Sequence, residues 1–383
     1  KKGALVARLR GSGAGPPVLL LGHLDVVEAR REDWSFDPFR FLEKDGFFYG
    51  RGTQDMKADD ALVMANLIRL KQENWKPRRD LILALTADEE GGDHNGVEWL
   101  LANRRSSIDA AYGINFDAGG GAIRHGKRIY FGLQASEKTY TDFRFEVKNK
   151  GGHSSLPVKD NAIYHLSRGL ARLAEFDFPP RLNEVTHSYF ERMSAIAGGQ
   201  DGAAMKAILA TPPDPAAISQ LSATPFYNAL LRTTCVATVI EGGHAHNALP
   251  QLAAANVNCR LLPDESPENV IRTLQSVIAD PAISITVARP ASPAPASPLK
   301  PEIVGTVEKI VGQLWPGVPV LPSMEAGATD SKYLRSAGIP AYGISGIFSD
   351  TDDVRAHGRD ERIGVESFYQ GLEFNYRLLK TLP

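Results

Sequence analysis

"LILALTADEEGG", residues 81–92, runs from an unbroken apolar stretch straight into three acids, Asp88, Glu89 and Glu90. An apolar run of this length without alternation reads as a strand buried on both faces, as in a parallel sheet covered by helices. The acids then stand where the strand comes out into a loop. Carboxylates side by side in a low-dielectric place hold protons or recruit a cation. The stretch therefore asks for a sheet around it and a positive partner beside it.

The sheet can be followed outward in both directions. "PVLLLGHLD" (17–25) is a second apolar strand, and a helix from about Lys57 to Gln72 carries Leu62, Val63, Leu67 and Leu70 on one face. "AAYGINFDAG" (110–119) is a further strand. Strand and helix in alternation indicate a largely parallel sheet with helices on both faces. From Thr139 the texture changes to strand "TYTDFRFEVKNK", a helix near Ala162 to Ala174, strands "TTCVATVIEGG" and "AAANVNCRLLP", helix "PENVIRTLQSVI" and strand "ISITVAR". That is the split β-α-β, ferredoxin-like order. "RPASPAPASPLKPE" (289–302) reads as a linker, since so many prolines and small residues form no packed element. After it a helix, the strand "PAYGIS" and a last helix restore the first texture. The expected fold is α/β: a mostly parallel sheet flanked by helices, in segments 1–136 and 291–383, interrupted by a ferredoxin-like α+β insertion over 137–290.

Composition narrows the partner. The chain has 383 residues, 43% hydrophobic and 23% charged, with a net charge of −2. This is ordinary for a soluble enzyme-sized protein and too little basic for nucleic acid or an anionic membrane. No apolar run approaches the roughly 18 residues of a membrane span. The opening Lys1-Lys2-Gly3, without an initiator Met, reads as trimmed or processed, and leaves the compartment open between cytoplasmic and exported. Cys235 and Cys259 make no Cys-based metal site. They can lie opposite one another on adjacent strands, but a cross-strand disulfide is strained, so the expectation is that they do not bond. A metal must then use His and carboxylate.

Such residues fall at the ends of the first domain's strands, where open α/β sheets place their sites. His23 and Asp25 stand two apart on a strand and face one side, so Asp25 can fix the tautomer of a metal-ligating His23. Asp55 lies in a glycine-bearing turn before a helix. Glu89 and Glu90, Asp117, and His357 complete the set. Two histidines and three carboxylates suit a pair of zinc ions, with one acid of the Glu89–Glu90 pair left over as general base.

Together with these residues, "GHLDVV" (22–27), "YGRGTQDMKA" (49–58), "TADEEGG" (86–92), "NFDAGG" (115–120), "KGGHSSLP" (150–157), "HNALP" (246–250), "CRLLP" (259–263), "AGATDSKYLRSAGIPAYG" (326–343) and "AHGRDE" (356–361) run in the order of one family. The chain resembles the zinc exopeptidases that include glutamate carboxypeptidase, aminoacylase, carnosinase and succinyl-diaminopimelate desuccinylase. The resemblance implies two zinc ions per chain, with cobalt or manganese as substitutes, bridged by Asp55. His23 and Asp117 complete one ion, Glu90 and His357 the other, Asp25 supports His23, and Glu89 is the catalytic acid/base. It also implies a homodimer formed through the inserted lid. His153 would reach the partner's site to polarise the scissile carbonyl, Arg260 and Asn247 would receive the substrate's carboxylate, and Gly327 would face the substrate.

The expected activity is hydrolysis of a peptide amide next to a free carboxylate, carboxypeptidase or dipeptidase fashion. Aminoacylase or desuccinylase action on N-acyl amino acids is the alternative within the same chemistry. A ligand-binding member retired from catalysis is the alternative outside it, and would show as loss of Glu89 or of a ligand; none is lost. His94, His125, His165, His187, His244 and His246 read as surface or structural residues, and Arg51 and Arg355 as structural ion-pairing ones. The resemblance also expects several dozen residues ahead of "ALVARLRG". The long segment of about 179–232, containing "GGQDGAAMKAILATPPDPAAI", has no assigned role.

Overall fold

The computed structural model describes residues 3–291 and 294–382, so Ser292 and Pro293 of the expected linker lie outside the described residues. Among the described residues the large sheet has nine strands. Its order is Leu5–Leu9, Leu81–Thr86, Val18–His23, Tyr112–Asn115, Ala341–Gly343, Lys127–Glu137, Gly120–Arg124 and Phe348–Asp350, with Val320–Glu325 also paired to Lys127–Glu137. The central pairs are parallel. Leu5–Leu9 at one edge and the Gly120–Glu137 hairpin run antiparallel.

Every residue of Val18–His23 and of Leu81–Thr86 is buried. Alternation along the strand divides them between two cores. Val18, Leu20, Leu83 and Leu85 join one, with Val63 and Leu70 of helix Lys57–Gln72, Val307 of helix Pro301–Leu314 and Phe374 of helix Val365–Thr381. Leu19, Leu21, Ile82 and Ala84 join the other, with Val97 and Leu100 of helix Gly96–Ile108 and Leu334. Helices thus cover both faces, as the unbroken apolar runs require.

The second sheet is antiparallel, in the order Thr234–Gly242, Leu252–Leu261, Thr139–Lys148, Ser284–Arg289. This is the spatial order 2-3-1-4 of a ferredoxin-like unit. Phe143, Phe145 and Val147 alternate inward onto helices Ala162–Ala174 and Pro267–Ile278 through Leu166, Leu173, Val270 and Leu274.

Three features depart from or add to the sequence reading. Cys235 and Cys259 are joined by a disulfide, against the expectation of free thiols. The two residues face one another in register with Cα atoms 4.1 Å apart, so direct opposition brings the sulfurs within bonding reach whatever the strain argument holds. Within 179–232 the chain forms helices Glu184–Ala197, Gly199–Ala207, Pro215–Ser222 and Pro225–Leu231. Their Val185, Phe190, Met205, Leu221 and Leu231 enter the large sheet's core rather than the small sheet's. Between strand Ser284–Arg289 and helix Pro301–Leu314 the described part of the Pro-rich stretch has no regular element but is anchored: the Ser297 N–H donates to Ala135 O at 2.8 Å and its hydroxyl to Ala341 O at 2.7 Å. Among the described residues no helix is long and apolar enough to cross a membrane.

Candidate metal centre and substrate cleft

The ligand-type residues arrive at one place from five separate connections. His23 is the last residue of its strand and is 2% exposed. Its Nδ1 lies 3.1 Å from the backbone oxygen of Asp25, an acceptor only, so Nδ1 carries a proton and Nε2 is the nitrogen turned toward Asp55 and Asp117. Nε2 is 3.1 Å from Asp55 Oδ1 and 3.5 Å from Asp117 Oδ1. The other oxygen of Asp55 is 3.0 Å from His357 Nε2, which is in turn 3.1 Å from Glu90 Oε2. Two three-residue groups of metal-ligand geometry result, His23–Asp55–Asp117 and Asp55–Glu90–His357, and they share Asp55.

Asp25 works from behind. Its two oxygens accept from the backbone N–H groups of Glu89 and Glu90 at 3.3 and 3.1 Å, which fixes the loop that carries both acids. Although burial pushes it up, His23 and these amides hold the Asp25 carboxyl down at about 2. Burial pushes Glu90 and Asp117 above the usual carboxylate range, and neighbouring Asp55 adds to it. Burial and then the charge of Asp117 and Asp330 push Glu89 up to about 9. Burial opposes charge on His23, yet hydrogen bonds with Asp117, Asp25 and Asp55 raise it strongly. The cluster is thus short of positive charge. Glu90 Oε1 is also buried without a hydrogen-bond partner. Convergent oxygen and nitrogen donors and an orphaned carboxylate oxygen fit a pair of divalent cations.

The turn that presents Asp55 depends on Glu361. Arg362–Gly364 pairs antiparallel with Phe47–Tyr49, which sets Glu361 against the Gly50–Asp55 turn. The fully buried Glu361 carboxylate accepts from Gly52 N at 3.0 Å, Gln54 N at 2.7 Å and Asp55 N at 3.0 Å, and pairs with Arg51. Arg51 Nη2 also donates to Gly358 O at 3.0 Å, next to His357. Gly52 has φ +89°, and a Cβ there would meet Val26 Cγ1 at 2.9 Å, so the turn needs glycine on both counts. The acid at the end of "AHGRDE" was visible; that three amides would point at it was not.

A cleft of about 390 Å³ opens beside the cluster, lined by Glu89, Glu90 and His357 and, from the small sheet, by Tyr140 and Arg260. Arg260 is therefore brought to the site. Gly327 is not among the lining residues, but its neighbour Ala328 is. His153 and Asn247 are not brought there. They sit together on an exposed two-stranded ribbon, where Gly152–His153 pairs with Ala248–Leu249 and Ser154 N donates to Asn247 O at 3.0 Å. As expected, His165 is structural, bonded to Asp280 at 2.7 Å, and Arg51 and Arg355 form ion pairs with Glu361 and Asp353.

Residues 19–381 match Peptidase family M20/M25/M40, and the chain belongs to that family. It is a hydrolase of the M20 class. Among curated proteins it is 29% identical over 371 residues to the N-fatty-acyl-amino acid synthase/hydrolase PM20D1 of Xenopus tropicalis, covering 95% of this chain and 72% of that one. It is 26% identical over 376 residues to mouse (Mus musculus) aminoacylase-1, covering 96% and 80%. Among solved structures the fold matches the M20 family metallo-carboxypeptidase Sso-CP2 of Sulfolobus solfataricus with a TM-score of 0.72 at 18% identity, covering 100% of this chain and 89% of that one.

Proposed function

We propose that the protein is a dinuclear metal-dependent amidohydrolase that cleaves an amide bond next to a free carboxylate, in a peptide or an N-acyl amino acid. The observation that carries this reading is the sharing of Asp55 between two ligand groups, with Arg260 in the adjoining cleft. His23 and Asp117 would hold one ion, Glu90 and His357 the other, and zinc suits these donors. Paired divalent ions, when bound, acidify water and polarise a carbonyl.

The chain's own groups divide the remaining work. Glu89 has no place in either ligand group, lines the cleft and is held through its backbone by Asp25. It would take a proton from the attacking water and return it to the leaving amine. Burial keeps its proton affinity high, and the charge of bound ions works in the opposite direction. Arg260 presents a planar fork that suits a carboxylate better than a lysine does. A lid that pairs with a second copy would deliver His153 and Asn247 to the partner's cleft. Thr234–Gly242 is an edge strand with Val236, Val239 and Ile240 each more than half exposed, which supports pairing there.

One further observation bears on the acyl side. An apolar groove of about 640 Å³, lined by Phe39, Phe41, Phe48, Phe368 and Tyr369, lies against the Gly50–Thr53 turn just before Asp55. A long acyl chain fits its chemistry, and the curated relatives named N-fatty-acyl-amino acid synthase/hydrolase make N-acyl amino acids a natural first panel.

The test is turnover of dipeptides, short and long N-acyl amino acids and succinyl-amines by metal-reconstituted protein. Substrates with a free carboxylate should be cleaved, and their carboxamides should be cleaved far more slowly. No turnover across the panel, or equal rates for acid and carboxamide, would remove the reading.

A further inference from the structure

Resting on that reading, the charges of the cleft specify more than one carboxylate. Four cationic side chains line it, Lys138, Arg260, Arg289 and Lys332. Among the described residues none of them has a carboxylate within 4.0 Å. Arg260 and Arg289 both stand over the ring of Tyr140, their guanidinium carbons 4.6 and 5.3 Å from its centre. Asp142, the acid two residues along that strand, is already occupied: Oδ2 accepts from Tyr140 at 2.8 Å, and Oδ1 from Asn256 at 3.1 Å and Asn258 at 2.9 Å. Lys138 is 1% exposed and donates only to neutral acceptors, Arg232 O at 2.8 Å and Thr234 Oγ1 at 3.0 Å. Across the cleft, Glu90 belongs to the metal cluster and Glu89 is the acid left for proton transfer.

Cations gathered with no carboxylate within 4.0 Å repel one another, more so where one is buried. Burial, and then Arg260, bring Lys138 down to about 7. One substrate carboxylate on Arg260 leaves Arg289 and Lys332 lining the cleft with no carboxylate within 4.0 Å among the described residues. We propose that these residues form a second anion subsite for the side-chain carboxylate of the scissile residue, so that the amino acid released is acidic, aspartate or glutamate.

The experiment compares kcat/KM for the N-acetyl derivatives of Glu, Asp, Gln and Leu on the metal-loaded full chain. One charge-assisted contact gives a preference of roughly 10–100-fold for an acid over the matching amide. Wild type should show it for Glu over Gln, and the preference should shrink with added salt. In Arg289→Ala/Lys332→Ala the ratio should fall toward one, and Arg289→Lys should retain most of it. Calorimetric binding of N-acetylglutamate and N-acetylglutamine to the same proteins separates the two readings. If nothing is turned over but N-acetylglutamate binds more tightly and the double variant loses that difference, the subsite stands and the hydrolase reading falls. If wild type handles Gln or Leu as well as Glu, or the double variant keeps the preference, the subsite is overturned.

Discussion

Asp55 and His357 are 302 residues apart in sequence and meet at 3.0 Å, Nε2 to Oδ2. The contact closes the site from both ends of the large sheet's domain, and it is set by neighbours rather than by the two residues themselves. Arg51 donates to the backbone beside His357, while Glu361 takes the amides of Gly52, Gln54 and Asp55. The turn and the His357 loop are one hydrogen-bonded unit.

Glu361→Ala should therefore act on stability and metal together. Removing one member of a buried pair leaves the Arg51 charge uncompensated, at a cost of roughly 3–5 kcal/mol. Loosening ligands from behind typically weakens metal binding about 10–100-fold. Denaturant unfolding and metal titration measure the two effects. A variant with wild-type stability and affinity would show that the network does not position Asp55.

Glu89 and Glu90 are adjacent yet should respond differently. Glu89→Gln should retain metal and lose activity about 10²–10⁴-fold, the usual worth of a placed acid/base. Glu90→Gln should lose metal from the Glu90–His357 group. Metal analysis beside kinetics separates them, and a reversed pattern would exchange their roles.

Much of this was legible in the sequence, for reasons that differ by element. The helices Lys57–Gln72 and Ala162–Ala174 end where their apolar periodicity ends, and the all-buried strands announced themselves as unbroken runs. The five ligand-type residues that come together are readable because each follows a recognisable strand or turn. The helices within 179–232 show in the sequence only as a long segment; that they cross to the large sheet's core depends on three-dimensional packing between units. Glu361 was hidden because backbone amides carry no sequence signature. The sequence allows Cys235 and Cys259 to lie opposite one another, and only the folded register, which sets them in direct opposition, decides for the bond over the strain that argues against it.

That disulfide ties the edge strand Thr234–Gly242 to its neighbour. Thiol titration of unfolded protein should find no free thiol before reduction and two after. Cys235→Ala/Cys259→Ala should lower stability by roughly 3 kcal/mol, the order expected for a loop of this length. Free thiols in the unreduced protein, or an unchanged unfolding curve in the double variant, would contradict it.

His153 is exposed on its ribbon and absent from its own chain's cleft. Its proposed role across a dimer demands that His153→Ala and Glu89→Ala, each nearly inactive alone, regain activity when dissociated and reassembled together. One site of a mixed dimer then holds both intact residues. A mixture that stays inactive although mixed dimers form would remove the partner from the chemistry.

Anomalous scattering from zinc-loaded crystals shows whether Asp55 joins two metal ions. Two peaks per chain should appear about 3.5–4 Å apart, one beside His23 and Asp117 and the other beside Glu90 and His357, with Asp55 between them. A single peak, or two that do not flank Asp55, would rule out a shared Asp55.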